Sequence, residues 1–149
     1  MINFFSENDF VLEQENDFRN WVERVIESEE KYIGDLNFIF CDDEYLHDIN
    51  LKYLSHDSYT DIISFDNSLG NTLHGDIFIS TDRVEDNASE FRVDFMEELK
   101  RVVIHGILHF CGYKDKSERD KELMRRKEEE KIELFHVEQQ IKNRSGYVR

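Results

Sequence analysis

Three side chains that bind metal ions stand close together in the segment HGILHFCGYKD, residues 105–115. His105 and His109 are four residues apart, so on a helix, at about 100° per residue, they lie on one face and both imidazoles can reach one ion. Gly112 allows the chain to turn back, and Asp115 then supplies a third ligand. Three protein ligands leave a fourth position for water, which is typical of catalytic zinc sites. We predict one divalent ion per chain, Zn²⁺ or another divalent metal, with His105 as the catalytic ligand beside the metal-bound water.

The residue after the first histidine distinguishes two kinds of metal chemistry. The frame H-x-x-x-H-x-x-G-x-x-D has the spacing of the metzincin proteases, which carry Glu after the first His as a general base. Gly106 occupies that position here and cannot accept a proton. A peptidase of the usual type is therefore disfavoured. A pair of histidines alone occurs by chance in many helices, but the glycine and Asp115 at these spacings favour a metal site.

A helix must carry the two histidines. Asp94 followed by Glu97 is typical of a helix start with a capping box. The apolar residues that recur along this segment form one face: Phe95, Leu99, Val102 and Val103. Gly112 is placed to end the helix in a left-handed conformation. A second helix is predicted from Ser117 to about Ile141, and its runs of charge are typical of a solvated face.

The rest of the chain shows further helix and strand patterns. Apolar residues recur at helical spacing in segments 16–26 and 43–54. Strand-forming residues are concentrated in segments 2–5, 36–41, 62–65 and 77–79. Between the last two, segment 66–75 contains the Gly, Asn and Ser residues of a turn, which predicts a hairpin.

The composition fits a single domain that spans residues 1–149. Domains commonly have about 100–150 residues, and 39% of this chain is apolar, including 12 Phe and 6 Tyr. No run approaches the ~18 apolar residues of a membrane span, and the acidic N-terminal segment lacks the apolar core of a signal peptide. We therefore expect a cytoplasmic protein with no membrane partner. Cys41 and Cys111 form no C-x-x-C pair, which favours packed thiols, although Cys111 could also act as a soft metal ligand.

The charge is strongly acidic but unevenly distributed. The whole chain has a net charge of −15, which by itself argues against a nucleic-acid substrate. Residues 1–113 carry 8 Lys/Arg against 25 Asp/Glu, a net charge of −17, whereas residues 114–149 carry 11 against 9, a net charge of +2. Because phosphate affinity depends on local cations, the region after the metal motif remains compatible with RNA.

Several motifs in segment 50–115 resemble those of the YbeY family, in the same order. The segment HGILH followed by Gly112 and Tyr113 resembles the family signature HGxLHxxGYDH. Upstream, Asn50 and Tyr53 followed by TDIISF at 60–65 resemble the N..Y......TD(V/I)(L/I)SF block. The segment GDI at 75–77 resembles the family's GDI strand, and Glu98 the glutamate that precedes the HG motif.

This resemblance implies an α+β fold in which a small mixed sheet of about four strands packs with helices. The metal site would lie on a central helix and the turn that follows it. The resemblance also implies a zinc-dependent endoribonuclease that cuts single-stranded RNA in ribosomal RNA maturation and in ribosome quality control. Ribosomal RNA and the small ribosomal subunit or its assembly factors would be the partners.

The chain departs from the family pattern at two positions, and these keep other functions open. Asp115 replaces the family's third histidine, which adds negative charge and weakens the Lewis acidity of a bound ion. Leu54 replaces an arginine that is thought to meet RNA phosphate. A non-catalytic ribosome-assembly factor with a structural metal, or another metallohydrolase, is therefore an alternative.

Three further residues are candidates for supporting roles. Lys114 and Lys116 flank Asp115 and are the nearest cations that could hold RNA phosphate in place of the missing arginine. Asp76 could orient a metal-bound histidine through a hydrogen bond. The alternative for Asp76 is a hydrogen bond to a loop backbone.

Overall fold

The computed structural model describes the backbone of residues 1–148 and the side chains of residues 1–141. Its helices and strands follow one another in this order: β1 Ile2–Ser6, α1 Glu15–Ser28, β2 Tyr32–Cys41, α2 Asp43–Leu54, β3 Ile62–Asp66, β4 Thr72–Ser80, α3 Thr81–Phe91, α4 Phe95–Phe110 and α5 Glu118–Val148. None of the helices in this described part combines the length and apolar composition that crossing a membrane requires.

The strands form one mixed sheet in the order β1-β2-β4-β3. β1 and β4 each pair in parallel with β2, and β3 pairs antiparallel with β4. Residues 67–71 join β3 to β4, so the predicted hairpin is confirmed. The sheet and its helices confirm the predicted α+β fold with four strands.

The two faces of the sheet bury different helices, because side chains alternate between the faces along each strand. Helices α1, α4 and α5 pack on the face that carries Phe38, Ile77 and Ile79, and Trp21 of α1 is completely buried there. Leu46 of α2 packs on the opposite face with Cys41 and Ile63. The sheet is therefore sandwiched between helices, and α4 lies in the larger core.

The structure extends the sequence prediction in several places, among them β2, which begins at Tyr32 rather than at residue 36. Helix α3 was not predicted, because only Thr81, Val84 and Ala88 of its eleven residues are buried and the apolar pattern is weak. The Ser80 hydroxyl caps this helix by accepting a hydrogen bond from the Arg83 amide at 3.1 Å. Strand β4 begins five residues before the predicted segment, and α5 continues to Val148 rather than ending near Ile141.

Candidate metal centre

Helix α4 supplies the two histidines and is fixed by its apolar face. Leu99, Val103 and Ile107 are completely buried against the sheet. Asp94 is the N-cap residue as predicted, although its side chain makes no capping hydrogen bond. His105 and His109 lie one turn apart at the border of the buried face, and both are partly exposed.

A tight C-terminal turn brings the third residue back to the histidines. The amide of Tyr113 donates to the carbonyl of Leu108 at 3.0 Å, and the amide of Gly112 donates to the carbonyl of His109 at 3.0 Å. These two bonds form a Schellman motif, which requires a left-handed residue. Gly112 supplies it with a φ of 105°, as predicted. Asp115 follows this turn and folds back toward α4.

The side chains of His105, His109 and Asp115 converge on one point. The Nε2 atoms of the two histidines are 3.0 Å apart, and Asp115 Oδ2 lies 3.3 Å from each of them. Atoms bound tetrahedrally at about 2.0–2.1 Å from a zinc ion are separated from one another by about 3.3 Å. The three residues are thus already spaced as ligands of one divalent ion.

The partners of the other ring nitrogens show which atoms face the centre. His105 Nδ1 lies 2.6 Å from Glu128 Oε2, and His109 Nδ1 lies 2.9 Å from the carbonyl oxygen of Tyr113. A carboxylate and a carbonyl only accept hydrogen bonds, so we assign the protons of both neutral imidazoles to Nδ1. Both Nε2 lone pairs then point at the carboxylate of Asp115. Three electron-rich atoms this close favour a positive charge between them, and a divalent metal ion fits.

Glu128 of α5 is a functional residue that the sequence analysis missed. It is 5% exposed and connects His105 to a row of charges, Arg101 and the buried Glu98. Its Oε1 atom lies 3.6 Å from Arg101 Nη1, and Arg101 Nε donates to Glu98 at 2.9 Å. Burial alone would lower the pKa of His105, but the hydrogen bond and negative charge of Glu128, together with Asp115, raise that pKa overall.

A sequence signal for Glu128 was present but subtle. Met124, Glu128, Lys131 and Phe135 recur at helical spacing, and all four are buried in the structure. We interpreted the acidic run at 128–130 as a solvated face. That interpretation is correct for Glu129 and Glu130, which are exposed, and wrong for Glu128.

Steric crowding explains why a glycine follows the first histidine. Gly106 is buried where α4 contacts the sheet, and a Cβ atom placed on it would lie 2.9 Å from Ile62 Cδ1 and 3.4 Å from Ile77. A larger side chain there would require at least the end of the Ile62 side chain to move. The position of the metzincin general base is therefore surrounded by side chains of the sheet in this protein.

The centre opens into a cleft of about 470 Å³ between α4 and β3. The wall opposite the histidines is formed by residues at and near β3: Thr60, Asp61, Ile62, Ser64 and Asp66. Burial raises the pKa of Asp61, and the positive charges of Arg101 and His105 partly oppose this shift. Lys114 and Lys116 do not line the cleft, but both are exposed and flank Asp115, which does, so we place them at its rim.

Comparison with known proteins matches nearly the whole chain to one family. The family model described as Endoribonuclease YbeY matches residues 3–136. The chain belongs to the YbeY family.

Relatives from this family are similar over almost their full lengths. The Endoribonuclease YbeY of Christiangramia forsetii is 77% identical over 138 residues, which is 93% of this chain and 96% of that protein. The Endoribonuclease YbeY of Flavobacterium johnsoniae is 64% identical over 139 residues, which is 93% of this chain and 100% of that protein. The solution structure of TM1509 from Thermotoga maritima matches this chain with a TM-score of 0.66 and 27% sequence identity. The match covers 95% of this chain and 93% of the TM1509 chain.

The two departures from the YbeY pattern have different structural consequences. Asp115 takes the place of the third histidine and lies at a distance suited to a ligand. Leu54 is the last residue of α2, is 43% exposed, and is not among the residues that line the cleft. The cations nearest to the centre in sequence, Lys114 and Lys116, therefore remain the candidates for phosphate contact.

One expectation about the surroundings of the centre is corrected by the structure, and the packed thiol predicted for Cys111 is compatible with it. Asp76 does not orient a metal-bound histidine: it accepts a hydrogen bond from Asn37 Nδ2 at 3.0 Å on the neighbouring strand β2. The hydrogen bond to the His105 ring, which was expected from Asp76, is made by Glu128 instead. Cys111 lies outside the group of ligands, and burial raises the pKa of its thiol to about 11, so it is protonated at neutral pH.

Replacing the turn glycine tests whether the Schellman turn positions Asp115. We expect Gly112→Ala to lower the free energy of unfolding by about 1–2 kcal/mol, because a Cβ atom is strained in the left-handed region. Weaker metal binding should accompany this loss, because the turn sets the position of Asp115. Gly70→Ala is the matched control: Gly70 also has a positive φ, of 59°, but lies in the β3–β4 turn. Thermal melts and metal titrations of both variants measure these effects. Equal metal affinities of Gly112→Ala and Gly70→Ala would contradict the role of the turn in positioning Asp115.

Proposed function

We propose that this chain is a zinc-dependent endoribonuclease that cleaves single-stranded RNA during ribosomal RNA maturation and ribosome quality control. One observation carries the metal-dependent part of this proposal: the Nε2 lone pairs of His105 and His109 and the carboxylate of Asp115 converge within 3.3 Å. The RNA part rests on family membership, because the relatives are named Endoribonuclease YbeY. In this proposal residues 1–149 act as one domain in the cytoplasm, where the ribosome or its assembly factors are the partners.

The residues of the chain have separate roles in this proposal. His105, His109 and Asp115 would hold the ion, with nitrogen and oxygen ligands that suit Zn²⁺. Glu128 and the carbonyl of Tyr113 fix the ring orientations of the two histidines. When bound, a divalent ion would supply Lewis-acid stabilisation of the charge that develops on phosphate oxygens. Lys114 and Lys116 would hold the flanking phosphates at the rim.

A peptidase function is disfavoured by the structure of α4. Peptide hydrolysis at an H-x-x-x-H centre uses a glutamate beside the first histidine as general base. Gly106 occupies that position, and Ile62 and Ile77 fill the space around it. Phosphodiester cleavage is compatible with this arrangement, because charge stabilisation by the ion contributes directly to the displacement at phosphorus.

An RNA-cleavage assay with defined metal content tests the proposed function. Metal-free protein should leave a single-stranded RNA oligonucleotide intact, and one equivalent of Zn²⁺ should restore cleavage. Asp115→Ala should remain inactive at the same zinc concentration, whereas Asp66→Ala keeps all three proposed ligands and serves as a control for loss of a cleft carboxylate. A fully metal-loaded parent that never cuts RNA would support the non-catalytic assembly factor instead.

The two lysines at the rim are expected to contribute to RNA affinity through phosphate contacts. For single-stranded nucleic acid, each phosphate contact steepens the slope of the logarithm of the binding constant against the logarithm of the salt concentration by about 0.7. The double change Lys114→Ala with Lys116→Ala should therefore reduce the magnitude of this slope by about 1.4. The double change Arg125→Ala with Arg126→Ala removes two exposed charges further along α5 and should have a smaller effect. Binding isotherms over a salt series measure both slopes. A slope unchanged by the lysine substitutions would remove these residues from the RNA site.

A further inference from the structure

Strand β3 lies at the edge of the sheet, and several of its residues line the cleft. The amide of Ser80 donates to the carbonyl of Asp61 at 2.9 Å, and the amide of Asn67 donates to the carbonyl of His74 at 2.8 Å. In an antiparallel pair, hydrogen-bonded residues alternate with residues whose backbone groups point away from the partner strand. The odd-numbered residues of β3 therefore bond to β4, and the amides and carbonyls of Ile62, Ser64 and Asp66 point outward.

The side chains of the same residues face the metal centre. The side chain of Ile62 contacts α4 at Gly106, and Ser64 and Asp66, at even positions along the strand, share its face of the sheet. All three residues line the cleft together with His105 and His109. The strand that forms this wall of the cleft therefore also has one unpaired edge beside it.

Ser64 stands at the middle of this edge with unused hydrogen-bonding capacity. Strand β3 pairs only with β4 among the described residues, so the outward amide and carbonyl of Ser64 have no backbone partner there. Its hydroxyl also has no hydrogen-bond partner among side chains 1–141. Water satisfies such groups in the free protein, and a ligand that offers a donor and an acceptor side by side can replace it.

The charges around the edge determine which part of an RNA chain can approach it. Asp61 and Asp66 line the same wall, so phosphate groups are repelled from the strand edge. The cations Lys114 and Lys116 lie at the rim instead. A single-stranded RNA would therefore turn its bases toward β3 and its phosphates toward the ion and the lysines.

We propose that single-stranded RNA lies extended along the outer edge of β3, with an unpaired base hydrogen-bonded to the amide and carbonyl of Ser64. This inference rests on the proposed function and specifies how its substrate is recognised. Nucleobases display donors and acceptors side by side on their Watson–Crick edges, and these are free only in unpaired RNA. The strand edge would thereby exclude duplex RNA without reading its sequence through a side chain.

Proline at position 64 removes the outward amide without breaking the sheet. The Ser64 amide is not bonded to β4, and proline is tolerated on edge strands where the missing N–H faces outward. We expect Ser64→Pro to weaken binding of a single-stranded 2′-O-methyl RNA oligonucleotide about tenfold, the factor that corresponds to one ordinary hydrogen bond. Ser64→Ala keeps the amide and should stay within about threefold of the parent. Zinc affinity should be the same in all three proteins.

Amide hydrogen exchange in the zinc-loaded parent tests the same contact without a substitution. In the free protein the Ile63 and Phe65 amides, which are bonded to β4, should exchange slowly, and the Ser64 amide should exchange fast. Adding the oligonucleotide should slow exchange at Ser64, whereas the matching duplex should leave it unchanged.

The outcomes separate this inference from the proposed function. Metal-dependent RNA cleavage by the parent, combined with unchanged RNA binding in Ser64→Pro and unprotected Ser64, would overturn the strand-edge contact and leave the proposed function intact. Absence of RNA cleavage in the metal-loaded parent would overturn the proposed function itself. An extended peptide can also pair with a strand edge, so protection of Ser64 by an unstructured peptide but not by RNA would also overturn the inference.

Discussion

Chelation is expected to lower the melting temperature of the parent protein by roughly 10 °C and to leave His109→Ala unaffected. A ligand that binds only the folded state stabilises it by about 4 kcal/mol when its free concentration is 1,000 times the dissociation constant. For a chain of this size, each kcal/mol corresponds to roughly 2–4 °C. The His109 imidazole supplies one of three converging ligand atoms, so its removal should abolish most of this gain.

The size of the effect follows from the position of His109 in the fold. Its Nδ1 atom is hydrogen-bonded to the carbonyl oxygen of Tyr113, and Asp115 follows Tyr113 by two residues. An ion held by His109 and Asp115 therefore links helix α4 to the turn that follows it. Removing the ion leaves three electron-rich atoms facing one another at 3.0–3.3 Å. A positive charge between these atoms relieves their repulsion, so we expect a bound ion to stabilise this turn.

Thermal melts with and without a chelator measure this coupling. His56→Ala is the matched control, because His56 is exposed and lies after α2, outside the ligand group. Its chelator effect should equal that of the parent. A chelator effect in His109→Ala as large as in the parent would exclude His109 as a ligand.

Glu128→Gln is expected to weaken zinc binding by about 10–100-fold, the usual cost of losing a carboxylate that supports a metal-bound histidine. The carboxylate accepts the Nδ1 proton of His105 at 2.6 Å and increases the electron density on Nε2. Glutamine keeps the shape of the side chain but removes the negative charge. The substitution removes the ion pair between Glu128 and Arg101, whereas the hydrogen bond from Arg101 to Glu98 is kept.

Competition titrations against a metal-binding dye measure the affinity of each variant. Glu129→Gln is the matched control, since it makes the same chemical change one residue away on an exposed side chain. Melts of the chelated proteins separate a loss of folding from a loss of metal affinity. Equal zinc affinities of Glu128→Gln and Glu129→Gln would show that Glu128 does not act on the centre.

The ligand group could be predicted because it is local in sequence. His105 and His109 are one helical turn apart, and the Schellman turn at Gly112 returns Asp115 within a few residues. Helix geometry and the requirement for a left-handed residue are enough to bring these side chains together. No information about the sheet or the other helices is needed.

The residues that support the ligands could not be assigned in this way because they depend on packing between distant segments. Glu128 reaches His105 across the contact between α4 and α5, 23 residues along the chain. The turn carrying Asp115 is held by Tyr113, whose hydroxyl donates at 2.7 Å to Glu29, the C-cap residue of α1, across 84 residues. Asp76 pairs with Asn37 because of the parallel register between β2 and β4, which the sequence pattern of either strand does not determine.

The open edge of β3 also became visible only from the arrangement of the strands. The pattern of segment 62–65 predicts a strand and the following turn predicts a hairpin. Which of its two edges is free depends on the order β1-β2-β4-β3, in which β4 pairs with β2 in parallel. Parallel pairing of strands that are distant in the chain leaves no local signal in the sequence.

A crystal structure of the zinc-loaded protein, with anomalous diffraction recorded at the zinc edge, tests the three-ligand centre directly. We expect one anomalous peak per chain, about 2.0–2.2 Å from His105 Nε2, His109 Nε2 and Asp115 Oδ2. Glu128 should remain hydrogen-bonded to His105 Nδ1, as it is here. A peak bound by the two histidines while Asp115 points to solvent, or a peak at any other cluster of residues, would contradict the three-ligand centre.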